Sequence, residues 1–126
     1  MMVPIAFHTT DWNLIPHENE NGALGNAILK VLQLPGIRLR MVEYSRNYLA
    51  DHWCTKGHLL FCLEGAFSVE FKNGARQLLR AGMSFQVSND MSVHRTSSIE
   101  GAKLLVIDGD FLTHEKKYTR GVIGLS

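Results

Sequence analysis

From Ile37 onward the chain is cut into short alternating or wholly apolar stretches, separated by turn-forming clusters at intervals of about ten residues. Ile37, Leu39 and Met41 alternate with Arg38 and Arg40, the period of a strand with one covered face. The run His58 to Leu63 is apolar on both faces, as in a strand covered on both sides. If it is regular, His58, Leu60 and Cys62 face one way and Leu59, Phe61 and Leu63 the other. Glu64-Gly65 is expected to turn the chain into a second alternating strand, Phe67 to Phe71. Lys72-Asn73-Gly74 then marks a hairpin, because Asn-Gly accepts the positive φ angles of two-residue turns. Met83, Phe85 and Val87 alternate with Ser84 and Gln86, and Ala102 to Ile107 reads as another buried strand, closed by Asp108-Gly109-Asp110. Short strands punctuated in this way predict an all-β fold, an antiparallel barrel or sandwich.

With 126 residues the chain is expected to form one domain. Residues 1–36 show no clean period of two and are expected to be an N-terminal arm packing on a barrel of residues 37–113, with residues 114–126 as a polar tail. Within the arm, Asp11-Trp12 and Ile15-Pro16-His17 read as anchors, Asn19 to Gly22 as a loop, and Ala23 to Leu34 equally as a short helix or a strand. A net charge of +1, with Lys and Arg spread out, argues against nucleic acid or an anionic membrane surface as partner. No stretch approaches the roughly 20 apolar residues of a membrane span, and Met1 to Phe7 lacks the pattern of an export signal. Two cysteines are too few for a disulfide framework. A reducing, cytoplasmic setting with both thiols free is therefore expected.

The chemistry concentrates between Asp51 and Phe67. His52 and Cys54 are two apart, so an extended backbone points them to the same side. His58 follows Lys56-Gly57, where a short turn can return it toward that pair, and His94 comes after the strand-like Met83 to Ser88. His52, Cys54, His58 and His94 are thus the candidate metal ligands. Cys54 has the weakest independent claim, since a free Cys is usually a small buried hydrophobe. Cys62, in the middle of an apolar strand and about 13 Å from His58 on an extended chain, reads as core. Trp53, of opposite parity, is expected to pack outside and brace the hairpin, and Asp51 to be a solvated carboxylate or an acceptor from a ligand imidazole. Glu43 and Gln86 are candidates for polar groups of a substrate pocket near the barrel mouth.

The same spacing resembles that of small cupin barrels, which carry His-x-His, three or four residues, Glu, then six residues and Gly, followed by a second motif opening on Gly and closing on His. Here it reads His52-x-Cys54, three residues, His58, six residues, Gly65, and then Gly82 followed by His94. The residue types depart from it: Cys54 stands for the second His and His58 for the Glu, while the usual Pro and Gly of the second motif are replaced near Ser88 and Asp90. His94 comes one residue late, which implies a small insertion in that loop. Arg38 to Ser45, together with Ala50 to Cys54 and Ala81 to Ser84, is similar to one subgroup, the DHCW-motif cupin-like proteins, over residues 37–108. The resemblance implies a single jelly-roll-like antiparallel β-barrel with its metal ligands inside, and implies no particular activity.

A thiolate with imidazoles selects a divalent transition metal, zinc first and then nickel, copper or ferrous iron, over magnesium or calcium. No base, nucleophile or substrate anchor is identifiable beside these ligands. The expected function is therefore a metal-binding cupin that acts on or senses a small molecule, and the rival is a non-catalytic structural or ligand-binding protein with a closed or absent metal site. A homodimer is expected as well, because Leu59, Phe61 and Leu63 form an outer face too apolar to leave in water.

Overall fold

The computed structural model describes residues 3–113, and the expected tail lies outside them. Nine strands run β1 (Glu18–Asn21), β2 (Asn26–Leu34), β3 (Ile37–Tyr44), β4 (Tyr48–Leu49), β5 (His58–Phe71), β6 (Arg76–Arg80), β7 (Ser84–Val87), β8 (His94–Ser98) and β9 (Ala102–Gly109), with short 3-10 turns at Trp12–Leu14 and Asp110–Leu112. Every strand pairing is antiparallel.

The long strand β5 organises the molecule. Its first half pairs with β7 on one edge and β9 on the other, and its second half pairs with β6 and β8. It therefore passes from one sheet, β1-β2-β3-β9-β5-β7, into a second, β4-β8-β5-β6. The passage is made at Glu64-Gly65, where a turn was expected. A register shift between Cys62 and Glu64 bulges the strand, and Gly65 sits at φ +73° with a virtual Cβ that would run into the Gly101 carbonyl oxygen. A bulge of this kind bends a strand without ending it. Burial along β5 follows the expected parity: Leu60 and Cys62 are buried while Phe61 and Leu63 are exposed.

Of the arm expected over residues 1–36, residues 18–34 form two strands of the sheet. The stretch that fitted helix or strand equally well is strand: β2 pairs with β3 from Ala27↔Tyr44 to Leu34↔Ile37 and buries Ala27 and Leu29 while Ile28 is exposed. Pro35-Gly36 closes that hairpin, with Gly36 at φ +71°, a conformation open to Gly at little cost. The hairpin at Lys72-Asn73-Gly74 forms as well, but by a three-residue loop. Phe71 donates to the Ala75 carbonyl and only Gly74 has positive φ, the pattern of a turn followed by one left-handed residue.

The core lies between the two sheets. Phe67, Leu104 and Cys62 are its most deeply buried side chains, packed with Leu29, Val42, Leu60, Val69, Leu79 and Val106. Tyr44 stacks on Tyr48 with centroids 4.2 Å apart and meets Phe67 edge-on. Tyr44 hydroxyl and Thr96 Oγ1 are 2.8 Å apart, which satisfies a phenol that could not otherwise be buried there cheaply.

Candidate metal centre

The backbone brings the candidate ligands together before any side chain is considered. Cys54 N–H donates to the His94 carbonyl at 2.7 Å, and His94 N–H donates to the Cys54 carbonyl at 3.0 Å. Such a reciprocal antiparallel pair places the two side chains on the same face, with Cβ atoms about 5 Å apart. His58 opens β5 after a return through Thr55 to Gly57, which is clamped by two bonds to the β7–β8 loop. Asp90 N–H donates to the Thr55 carbonyl at 2.8 Å, and Gly57 N–H donates to Asn89 Oδ1 at 2.7 Å. Gly57 is buried against Val87 and Ser88, and a Cβ there would collide with their backbone. The short turn expected after Lys56-Gly57 thus needs this glycine for close packing.

Cys54 Sγ lies 3.7 Å from His58 Nε2, and the ligand atoms of Cys54, His58 and His94 all fall within 4.8 Å of one another. Metal–sulfur and metal–nitrogen bonds of about 2.3 and 2.0 Å in a tetrahedron require separations of roughly 3.3–3.6 Å. The thiol and His58 are already near that spacing, and the rest closes with small side-chain rotations. The two imidazoles meet edge-to-face with centroids 5.6 Å apart, and Phe85 stands against His94 at 5.7 Å.

Charge favours metal-competent protonation states. Burial lowers the His58 pKa to about 4, and the Arg40 guanidinium beside it acts in the same direction. Burial also pulls His94 down. Both rings are therefore neutral at physiological pH and carry a free lone pair, as metal binding requires. Behind His58, its Nδ1 faces Asp108 Oδ2 at 4.0 Å. Burial alone would raise the Asp108 pKa, but hydrogen bonds from Arg38 and the charges of Arg38 and Arg40 outweigh it and hold it below the ordinary value. A carboxylate behind a ligand imidazole is the usual arrangement that orients the ring. His58 Nδ1 is buried with no hydrogen-bond partner among the described residues, and a small movement of the ring toward Asp108 would satisfy it. The donor set, one thiol and two imidazoles, fits a bound transition ion.

His52 is placed differently. It shares the parity of Cys54 and lines the same cavity, but its side chain is 75% exposed and its Nδ1 lies 2.6 Å from Asp51 Oδ1. It stands on the rim, and Asp51 holds it there. Trp53 points away from the ligands and packs under two cations, Lys72 Nζ 4.6 Å and Arg95 Cζ 4.5 Å from its ring centre. Cys62 is core, and burial pushes its thiol pKa up.

The cavity beside the ligands measures about 130 Å³, below the roughly 300–1,000 Å³ of pockets for drug-sized molecules. Its walls are Ala27, Leu29, Val42, Leu60 and Val106, with polar groups from Arg40, Tyr44 and Thr96. Glu43 and Gln86 are not among its lining: Glu43 is exposed and borders a surface depression beside Glu64 and Glu100, whereas Gln86, on β7, lines a second cavity of about 330 Å³ that also reaches His94. Glu43 follows the strand alternation, since Val42 and Tyr44 face inward. The same alternation puts Arg40 on the cavity side, opposite to what the apolar Leu39 and Met41 suggested. Arg38 and Arg40 are tolerated on the inner face because Asp108, the residue paired with Arg38 across β3 and β9, takes both guanidinium groups. The legible signal was Arg-x-Arg in one buried strand with a carboxylate at the end of another.

No family model matches the chain, and no curated protein matches it. Solved structures do. A cupin described as RmlC-like from Shewanella frigidimarina superposes with a TM-score of 0.66 at 17% identity, covering 90% of this chain and 96% of that one. The iron(II) form of HppE superposes with a TM-score of 0.67 at 16% identity, covering 81% of this chain and 60% of that one. A protein of Neisseria meningitidis aligns at 26% identity with a TM-score of 0.54, over 65% of this chain and 82% of that one. The fold is that of the small cupin jelly roll.

Proposed function

We propose that this chain is a metal-binding small cupin of the DHCW-motif group that acts on or senses a small molecule entering the barrel beside its metal. The observation that carries this reading is the convergence of Cys54, His58 and His94 within 4.8 Å. A divalent transition ion bound there would supply Lewis-acid or redox chemistry at a position open to the cavity. The chain's own groups do the holding: two neutral imidazoles, one thiol able to lose its proton on coordination, and Asp108 behind His58 to fix that ring. One thiolate with two imidazoles favours zinc, with nickel, ferrous iron and copper behind it. The free thiols Cys54 and Cys62 are in keeping with a reducing, cytoplasmic setting.

Elemental analysis of purified protein tests the reading. A transition metal is expected near one equivalent, lost in His58→Ala and His94→Ala and retained in His52→Ala. Absence of metal, together with no uptake of zinc, nickel or ferrous iron, would overturn it.

A second reading is favoured by the position of His52 on the same cavity wall. Released from Asp51 and turned inward, it would complete a four-ligand tetrahedron, the closed geometry of a structural zinc site. The visible spectrum of the cobalt-substituted protein separates the two. Intense four-coordinate bands unchanged by small ligands and lost in His52→Ala favour the closed site, whereas bands that shift on adding azide favour the open one.

A further inference from the structure

The cavity wall holds a charge that the metal site does not use. Arg40 Nε is buried without a hydrogen-bond partner among the described residues, although Arg40 Nη2 donates to Asp108 Oδ2 at 2.9 Å. Asp108 is meanwhile gripped in bidentate fashion by Arg38, at 3.1 and 3.0 Å. Two guanidinium groups against one carboxylate leave this cluster at +1. The other charged groups near the cavity are Arg95, paired with Glu70 at 3.0 Å, and Glu20, which is exposed on β1 at the cavity edge and so largely screened by solvent.

An unpaired guanidinium donor in the wall of a mostly apolar chamber is costly unless something completes it; Arg40 lines the chamber while its Nε is covered, so a ligand would meet Nε after a small turn of the side chain. A bound divalent ion with one thiolate ligand would add further positive charge and sharpen the same demand. The group that completes an arginine most closely is planar and anionic, and the small chamber admits only a short molecule. We propose that Arg40 is a binding residue for the carboxylate of a small organic acid, held in the cavity with its remaining atoms toward Cys54, His58 and His94. This deepens the preceding reading by naming the substrate class as short-chain carboxylates, and it rests on that reading only for the direction in which the acid points.

The test uses 13C-labelled acetate and propionate, followed by NMR line broadening, in metal-free and in zinc-loaded full-length protein, with acetamide and propionamide as uncharged shape-matched controls. Carboxylate binding is expected in both forms, tighter with zinc, and at least tenfold weaker for the amides. Arg40→Met is expected to weaken carboxylate binding at least tenfold. Arg40→Lys, which keeps the charge without the planar donor edge, should fall between. Lys103→Met removes one positive charge from the outer face and should leave binding unchanged. Arg40-dependent binding to metal-free protein supports the inference even if no metal is ever taken up. Zinc uptake without carboxylate binding overturns it and leaves the metal reading standing. Equal affinity for acid and amide overturns it too, as does wild-type binding by a folded Arg40→Met. Should Arg40→Met fail to fold, Arg40→Lys decides alone: wild-type affinity there overturns the donor-edge argument.

Discussion

At the scale of single residues, the two thiols and the buried imidazole make opposite demands on their surroundings. Cys54 sits half-buried beside His58, while Cys62 is 2% exposed in the core. Coordination would make Cys54 a thiolate and also hide it. Alkylation with peptide mapping is therefore expected to label Cys54 only after chelation, with circular dichroism unchanged, and Cys62 only on unfolding. Equal Cys54 labelling with and without metal would take it out of the ligand set. His58 sets a pH dependence for the metal-free protein. Its folded pKa of about 4 lies below the ordinary value of 6.5, so between these limits the unfolded chain takes up a proton that the folded one refuses. The associated stability is fully present above pH 6.5, falls as pH drops toward 4, and is lost below it; the total is on the order of 3 kcal/mol. Urea midpoints of chelated protein at pH 7 and 4.5 measure this. His58→Gln should lose about 2 kcal/mol less across that interval than the wild type, and an identical loss would show that other groups carry it.

At the scale of elements, the β3–β9 pair ties the barrel wall to His58, the candidate ligand that opens β5. Asp108→Asn keeps the shape of the side chain but leaves two partly buried guanidinium groups without their carboxylate. Removing one member of such a cluster costs about 3 kcal/mol, and the loss of the group behind His58 should weaken metal binding by about tenfold. Denaturation and competitive chelation would measure the two effects separately, and wild-type metal affinity would dismiss a role for Asp108 in orienting His58. The β5 bulge makes a second demand. Gly65→Ala adds a Cβ against the Gly101 carbonyl at a positive φ, so thermal unfolding should show a loss of more than 1 kcal/mol; an unchanged midpoint would mean that the two strands can separate without penalty.

At the scale of the molecule, the outer sheet face is apolar in rows. Leu59 pairs with Ile107 and Ile107 with Leu39, while Phe61 pairs with Leu105 and Leu105 with Met41. The N-terminal segment touches this side through Lys30 Nζ, which donates to the Trp12 carbonyl at 3.0 Å, yet Phe61 and Leu63 remain 40% and 44% exposed. We propose that a second copy of the chain covers this face. Light scattering at micromolar concentration is then expected to give a dimer mass, and Phe61→Glu a monomer mass with the fold retained. A monomer mass for the wild type would leave the face without a partner copy.

The period of two along β5, β7 and β9 and the position of the Asn-Gly hairpin were readable from the chain, because a strand's alternation and a turn's φ requirement are local properties of sequence. The same locality made His58 and His94 visible as candidates. What the chain could not reveal was the sense of each face. Arg38 and Arg40 looked like the solvent side of β3 until β9 supplied Asp108 across the register, and Glu43 then fell on the outside by parity. Nor could spacing separate His52 from Cys54, which share a face: Cys54 is locked to His94 by two backbone bonds, whereas His52 is held out at the rim by its neighbour Asp51. Pairing partners for a charge, and the orientation of one side chain against another, are long-range facts. They exist only once strands some 70 residues apart have come together, and so the tertiary structure alone decided them.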